Sequence, residues 1–139
     1  MNRVDRRADR TVGSWPAECH AVGVVAGGGD AEWAARAAGA LIRAAASRYR
    51  LAFLVDLASS ASDLPSRLGV LPDERGLAEA AAGDVSLGEV AVPDEARSFA
   101  YIPAGRTDSP AELTRSRAFD SLVERVREAG GIVLVLIDR

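Results

Sequence analysis

The apolar residues of this chain fall into short runs separated by longer stretches in which they recur at helical spacing. The runs lie at residues 21–26, 51–56, 98–105 and 132–138. The first run is short and apolar on both faces, which is typical of a strand buried on both sides in a parallel sheet. The last run is the strongest strand, and the second and last both end in an acid.

The stretches between the runs predict helices. One helix follows Asp30 and extends to about Arg50, and an amphipathic helix covers residues 116–129 before Gly130 and Gly131 stop it. Shorter helical turns are predicted at residues 63–68, 76–83 and 86–90 and within 107–115. Because strands alternate with helices, the pattern predicts an α/β fold with right-handed crossovers.

The predicted architecture is a parallel, Rossmann-like sheet of about four strands with helices on both faces, in three layers. At 139 residues the chain is one domain at most. We divide it into a charged N-terminal arm, residues 1–18, and a domain, residues 19–139. Residues 1–11 alternate arginine with aspartate, which predicts a solvated, mobile arm whose arginines could touch an acidic surface. A solubilising tail is the favoured interpretation.

Composition narrows the function classes. The net charge of −3 gives no general attraction to nucleic acid. All 17 basic residues are arginine, so no lysine can bind a phosphate, form a Schiff base or act as a base. A single cysteine, Cys19, excludes an internal disulfide. No apolar run approaches the ~20 residues needed to span a bilayer, and we expect a cytoplasmic protein without direct membrane insertion.

The most informative stretch joins the first strand to the first long helix. Gly27, Gly28 and Gly29 form a tight loop, and Asp30 is placed to cap the helix. This is the layout of a phosphate-binding loop, in which backbone N–H groups and a helix N-terminus hold an anion. A dinucleotide-binding loop is a weaker interpretation, because Glu32 stands where its third glycine belongs.

Four stretches extend this likeness along the chain, at residues 24–33, 53–58, 75–87 and 101–113. The third contains RGLAEAAAGDVSL and the fourth YIPAGRTDSPAEL. Together they resemble the P-loop ATPases that include the MinD and ParA proteins, and most closely the cytoplasmic domain of bacterial capsular-exopolysaccharide tyrosine autokinases. In that resemblance residues 132–138 stand where the Walker B strand lies.

The resemblance is good in architecture and poor in catalytic residues. Ala31 stands where the family loop has its last glycine, Glu32 where it has the phosphate lysine, and Trp33 where it has the magnesium-binding Ser/Thr. Asp56 matches the first acid of the Walker A′ motif, whereas the second is Ala58.

Asp138 matches the Walker B acid, and the sequence stops one residue later. The resemblance therefore implies a domain truncated after the Walker B strand. Its first strand would be an exposed edge, unless residues 12–19 or another element covers it. Asp56 and Asp138 are expected to end adjacent strands, either as relics of a magnesium site or, in the interpretation we favour, as acids that cap turns.

The replacements disfavour phosphate chemistry. Glu32 would repel the β- and γ-phosphates by several kcal/mol at an effective dielectric constant of about 20. Trp33 could fill the emptied nucleotide pocket or mark a partner surface, and the residues leave both open. Cys19 and His20 are too few to make a metal site and are interpreted as the lead into the first strand. We nominate no catalytic residue and no metal ligand.

The resemblance and its departures predict a non-catalytic P-loop ATPase-like protein without cofactor. It would be a partner-binding or regulatory subunit in exopolysaccharide or capsule biosynthesis. The partner would be a membrane polysaccharide co-polymerase or a catalytic homologue, and a homo-oligomer is also compatible with the sequence. The alternative is an active ATPase or tyrosine autokinase that binds ATP and magnesium through an unusual loop. A remnant without an independent role is a third interpretation.

Overall fold

The computed structural model describes residues 2–26, 31–58, 64–72 and 74–138, without the side chains of residues 26, 31 and 138. The helices in chain order are α1 (Arg3–Gly13), α2 (Ala31–Ala46), α3 (Leu64–Arg67), α4 (Leu77–Ala81), α5 (Leu87–Val90) and α6 (Arg117–Glu128), with a 3₁₀ helix at Pro110–Arg115. The strands are β1 (Ala21–Ala26), β2 (Ala52–Leu57), β3 (Val92–Pro93), β4 (Ala100–Pro103) and β5 (Ile132–Asp138).

The strands form one sheet in the order β1-β5-β2-β4-β3. β1, β5, β2 and β4 are parallel, as the four apolar runs predict. β3 is an addition: it is two residues long and pairs antiparallel with β4 at the far edge. The predicted α/β fold with a mostly parallel sheet is therefore confirmed.

Helices cover both faces of the sheet, because successive side chains of a strand point to opposite faces. Leu54 of β2 and Leu134 of β5 belong to the apolar cluster beneath α2. Val55 and Val135, one residue further along, belong to the cluster beneath α4 and α6. The two clusters make the predicted three layers.

The N-terminal segment differs from its prediction. Residues 3–13 form α1, which packs against α2 and buries Ala8 and Val12 at 6% and 2% exposure. The interpretation of this segment as a solvated arm is wrong, because Val4, Ala8 and Val12 recur every four residues and line one face of a helix. The arginines occupy the other faces.

Local signals set the ends of the other long helices. The Ser116 hydroxyl accepts a hydrogen bond from the Phe119 N–H at 3.2 Å and caps α6, and Gly130 ends it at a φ of +74°. α2 ends at Ala46, four residues before the predicted Arg50. The predicted cap of α2, Asp30, lies outside the described residues.

β1 lies at the edge of the sheet, as expected. Its residues Ala21, Gly23 and Val25 are exposed, and 59% of Val25 is accessible to solvent. The segment that precedes β1 does not cover this edge, since Trp15 and Cys19 pack on the α2 face of the sheet instead.

Candidate functional site

The parallel strands end together at one edge of the sheet, where open α/β folds bind ligands. Asp56, near the end of β2, aligns with Leu136 of β5, and Asp138 lies two positions further along β5. Asp138 also aligns with Ala26, the last residue of β1. The two sequence-predicted acids therefore do end adjacent strands.

Asp56 is the best-defined polar group at this edge. It is 8% exposed, and its Oδ2 accepts a hydrogen bond from the Tyr101 hydroxyl of β4 at 2.5 Å. Its Oδ1 accepts a second bond from the Ala58 N–H at 3.2 Å. Burial, then the charge of Asp56 and its hydrogen bond, raise the pKa of Tyr101 far above its ordinary value. Asp56 thus accepts from protein donors at both oxygens.

The first turn of α2 carries Glu32 and Trp33, the two residues that the sequence comparison sets against a phosphate lysine and a magnesium ligand. Glu32 forms an ion pair with Arg67, which ends α3, at 3.0 Å between Oε1 and Nη2. The side chain of Glu32 is 71% exposed and that of Arg67 35% exposed. Because both groups face solvent, the pair is worth at most about 1 kcal/mol.

Trp33 projects towards α1. It is 62% exposed and lines a groove of about 310 Å³ between α1 and α2. The groove is lined by Val4, Arg7, Ala8, Thr11, Trp33, Ala37 and Leu41. The structure thus shows Trp33 as a largely exposed side chain beside α1.

Gly27, Gly28, Gly29 and Asp30 lie outside the described residues, as do the side chains of Ala31 and Asp138. His20, just before β1, has its Nδ1 within 2.8 Å of the Gly131 carbonyl oxygen. That contact joins β1 to the turn before β5 and supports a structural role. Within the described ranges, no group of three or more His, Cys, Asp or Glu residues is placed to hold a metal ion.

A second cluster, which sequence reasoning did not place, joins the third and fourth resembling stretches. The Glu79 carboxylate accepts hydrogen bonds from the N–H of Gly76 at 2.8 Å and of Arg106 at 3.3 Å. The Ala78 N–H donates to the Ala104 carbonyl at 2.9 Å. Partial burial tends to raise the pKa of Glu79, but the two backbone hydrogen bonds outweigh it and the pKa is lowered.

Two glycines make this cluster possible. A Cβ on Gly76 would lie 2.1 Å from the Pro103 carbonyl oxygen. A Cβ on Gly105, whose φ is +83°, would lie 2.0 Å from Glu79. Gly76 is therefore required by a backbone contact, and Gly105 by its positive φ and by the Gly76 nitrogen, which would lie 2.9 Å from a Cβ. Both glycines belong to the stretches that carry the resemblance.

The strands and helices define a mostly parallel α/β domain with one five-stranded sheet. The chain is similar to the kinase domain of the Escherichia coli tyrosine kinase ETK, with a TM-score of 0.72 and 18% identity. It is equally similar to the VpsO kinase domain, with a TM-score of 0.72 and 18% identity. The BceF tyrosine kinase domain follows with a TM-score of 0.61 and 19% identity. The resemblance to bacterial tyrosine kinase domains is confirmed at the level of the fold.

These matches cover nearly all of this chain but only part of the others. The shares are 95% of this chain and 51% of the ETK domain, 97% and 66% for VpsO, and 96% and 51% for BceF. No protein-family model and no curated protein matches the sequence. None of the described helices is long and apolar enough to cross a membrane.

Proposed function

We propose that this chain is a non-catalytic relative of the tyrosine autokinase domains that acts by binding a protein partner in the cytoplasm. The partner belongs to an exopolysaccharide or capsule system, as a membrane co-polymerase or a catalytic homologue. The observation that carries the proposal is the first turn of α2. Its Glu32 carboxylate pairs with Arg67, and its Trp33 indole lies in the groove against α1.

The described residues do not fit a magnesium nucleotide. Phosphate oxygens need cationic or N–H donors, and the described turn offers the carboxylate of Glu32 in place of a cationic side chain, beside the backbone N–H groups that begin α2. Magnesium needs oxygen ligands, and Trp33 supplies none. Asp56 accepts hydrogen bonds from Tyr101 and Ala58, one at each of its two oxygens, and thus has a structural role between β2 and β4.

One observation favours the alternative, an ATP-binding ATPase or autokinase with an unusual loop. Arg67 brings a guanidinium group to the start of α2, where it forms its ion pair with Glu32. Arginine binds phosphate bidentately. Arg67 would replace the missing lysine if its ion pair with Glu32 broke and the phosphate took the place of the carboxylate. The alternative therefore depends on Arg67.

Calorimetric titration with ATP and ADP, with and without magnesium, separates the two functions. The non-catalytic function predicts no magnesium-dependent binding in the micromolar range. The alternative predicts such binding, together with its loss in Arg67→Ala. Arg97→Ala is the matched control, because Arg97 lies in the turn between β3 and β4 and is exposed.

A restored loop serves as the positive control. The combined substitution Ala31→Gly, Glu32→Lys and Trp33→Ser returns the residues of the family loop. Gain of nucleotide binding in this variant shows that the assay detects a working loop on this fold. Micromolar magnesium-dependent binding by the unsubstituted chain would contradict the proposal.

The partner surface is tested by co-purification from cells that carry an exopolysaccharide system. Trp33→Ala removes the exposed indole of the α1–α2 groove and is expected to reduce recovery of the partner at least about tenfold, as for an interface anchor. Leu71→Ala is the control, because Leu71 is 92% exposed and lies outside the groove. Equal loss in both variants would argue against a specific role for the groove.

A further inference from the structure

A cavity whose charged residues are mostly arginines lies between α2 and α3. Its volume is about 250 Å³, and its charged lining residues are Arg36 and Arg43 of α2, Arg67 of α3 and Asp5 of α1. The segment that ends α3 shares a second groove with β3, which lies at the edge of the sheet opposite β1. We call the first of these the basic cavity, and it lies on the side of α2 that faces away from the β1 edge.

The Arg43 guanidinium is held in the basic cavity from two sides. Its Nη2 donates a hydrogen bond to the Arg67 carbonyl oxygen at 3.0 Å. Its Nη1 lies over the buried Gly39, since a Cβ built on that glycine would be 3.7 Å away. Glycine leaves this space open although it destabilises the interior of a helix. The guanidinium is therefore already placed in the cavity, and it has further N–H donors to offer a ligand.

Arg36 lies on the same stripe of α2 as Gly39 and Arg43, because residues three, four and seven positions apart share one face of a helix. Within the described residues, neither Arg36 nor Arg43 forms an ion pair with a carboxylate. Positive charges that share one concave site repel each other, and a bound anion relieves this repulsion. The pair of arginines therefore favours an anionic ligand.

The carboxylates near the basic cavity do not neutralise it. Asp5 is the one acidic residue among its described lining residues. Glu32, which does not line the cavity, forms an ion pair with Arg67 at 3.0 Å. The side chain of Glu32 is 71% exposed, so water screens this pair. Three guanidinium groups set against two carboxylates leave the site positively charged.

We propose that the basic cavity binds a small phosphate anion, either inorganic phosphate or a phosphate monoester. A phosphate dianion offers acceptor oxygens to several guanidinium groups at once. The cavity is smaller than the ~300–1,000 Å³ pockets that hold drug-sized ligands, which suits a phosphate group with at most a small substituent. Arg36 and Arg43 are the principal binding residues, and Arg67 lies beside them.

Calorimetric titration with inorganic phosphate and with a hexose monophosphate tests the site, at constant ionic strength and without magnesium. Saturable binding is expected. Arg36→Ala and Arg43→Ala should each weaken it at least about tenfold, because each removes charge-assisted hydrogen bonds. Asp5→Asn removes the opposing charge and should tighten binding at least about twofold. Tighter binding of the hexose monophosphate would identify an ester as the ligand, and equal affinities would identify the phosphate group alone.

Arg125→Ala is the matched control. Arg125 is exposed on α6, which packs on the opposite face of the sheet, so this variant removes the same charge far from the basic cavity. Its phosphate affinity should equal that of the unsubstituted chain. If Arg43→Ala fails to fold, Arg43→Gln replaces it, because glutamine keeps a donor for the Arg67 carbonyl. Absence of saturable binding, or equal weakening in the cavity variants and in Arg125→Ala, would overturn the proposal.

The magnesium dependence separates the basic cavity from the loop that precedes α2. Arg43 follows Glu32 by eleven residues, which is about 16 Å along the helix at 1.5 Å per residue. Nucleotide binding at the loop would use magnesium, whereas arginines bind phosphate oxygens directly. The proposal therefore holds whether or not the chain binds nucleotide. Phosphate binding that requires magnesium, or that both Arg36→Ala and Arg43→Ala leave unchanged, would contradict it.

Discussion

At the scale of single residues, the structure changes the meaning of the acids that the sequence singles out. Asp56 stands where a nucleotide-binding acid belongs in the resemblance, yet it accepts hydrogen bonds from Tyr101 and Ala58. A buried carboxylate is costly unless its oxygens are satisfied, and these bonds satisfy it. Asp56 is therefore part of what holds β2 to β4.

Tyr101→Phe tests that role. It removes the donor to Asp56, and we expect a loss of about 1–3 kcal/mol in the free energy of unfolding. The raised pKa of Tyr101 makes the wild-type protein lose stability as the pH rises above about 10, where the unfolded tyrosine ionises. The difference between wild type and variant should thus be largest below pH 10 and shrink above it.

Urea unfolding monitored by circular dichroism at several pH values measures this difference. Tyr49→Phe is the control at pH 7, because Tyr49 is only partly buried and donates no hydrogen bond to Asp56. Burial, then the charge of Cys19, also raises the pKa of Tyr49, so the same variant shows how much of the alkaline loss of stability comes from that residue. A variant as stable as the wild type at pH 7 would mean that the bond to Asp56 contributes nothing to stability.

At the scale of elements, α4 contacts the end of β4. This contact gives a structural reason for the distinctive residues of the stretches at 75–87 and 101–113. Gly76 lets the chain before α4 touch Pro103, and the Glu79 carboxylate ties this chain to Arg106. The contact fixes the loop after β4 next to α4. The distinctive residues of both stretches thus serve packing, which needs no phosphate.

Gly76→Ala is expected to destabilise the protein by about 1–3 kcal/mol, because its Cβ would lie 2.1 Å from the Pro103 oxygen and the backbone must move. Gly88→Ala is the matched control in α5, where a Cβ has no neighbour closer than 4.0 Å. It should stabilise by about 0.5–1 kcal/mol, as alanine does within a helix. Thermal unfolding of both variants measures the two opposite shifts.

Equal shifts of the same sign in the two glycine variants would show that the tight contact does not govern stability at Gly76.

At the scale of the whole molecule, two apolar clusters share one sheet. The cluster beneath α2 includes Val12 of α1, and the cluster on the other face includes Val126 of α6. Because β2, β4 and β5 contribute residues to both clusters, loosening one face weakens the strands that support the other. We expect the chain to unfold as a single unit.

Val12→Ala and Val126→Ala test this coupling. Each removes apolar atoms from a side chain that is 2% or 1% exposed, and each should cost about 1–2 kcal/mol. Both should lower the midpoint of the same transition, measured by calorimetry and by the fluorescence of the tryptophans. An earlier, separate transition in Val12→Ala would show that α1 unfolds independently of the domain.

The fold could be predicted from the sequence because its strands are local patterns. The runs at 21–26 and 132–138 became β1 and β5 with the same bounds. α1 was missed although Val4, Ala8 and Val12 carry a helical spacing, since the surrounding charges dominate that segment. β3 was missed because two residues that include a proline give no strand signal.

The candidate site could be predicted only in part. The placement of Asp56 and Asp138 on adjacent strands follows from the parallel order of the sheet. The partners of Asp56 and Glu32 could not be predicted, because Tyr101 and Arg67 are distant in sequence and meet only in the folded chain. The position of Trp33 depends on α1, which had been interpreted as solvated.

The close approach of Gly76 to Pro103 has a consequence for how such sequences are classified. The glycines that carry the resemblance are needed because a side chain would clash with the neighbouring backbone. This requirement is the same whether or not the protein transfers phosphate. A protein that loses its catalytic activity can retain these glycines as long as it retains its fold. Searches that rely on them will collect active and inactive proteins alike.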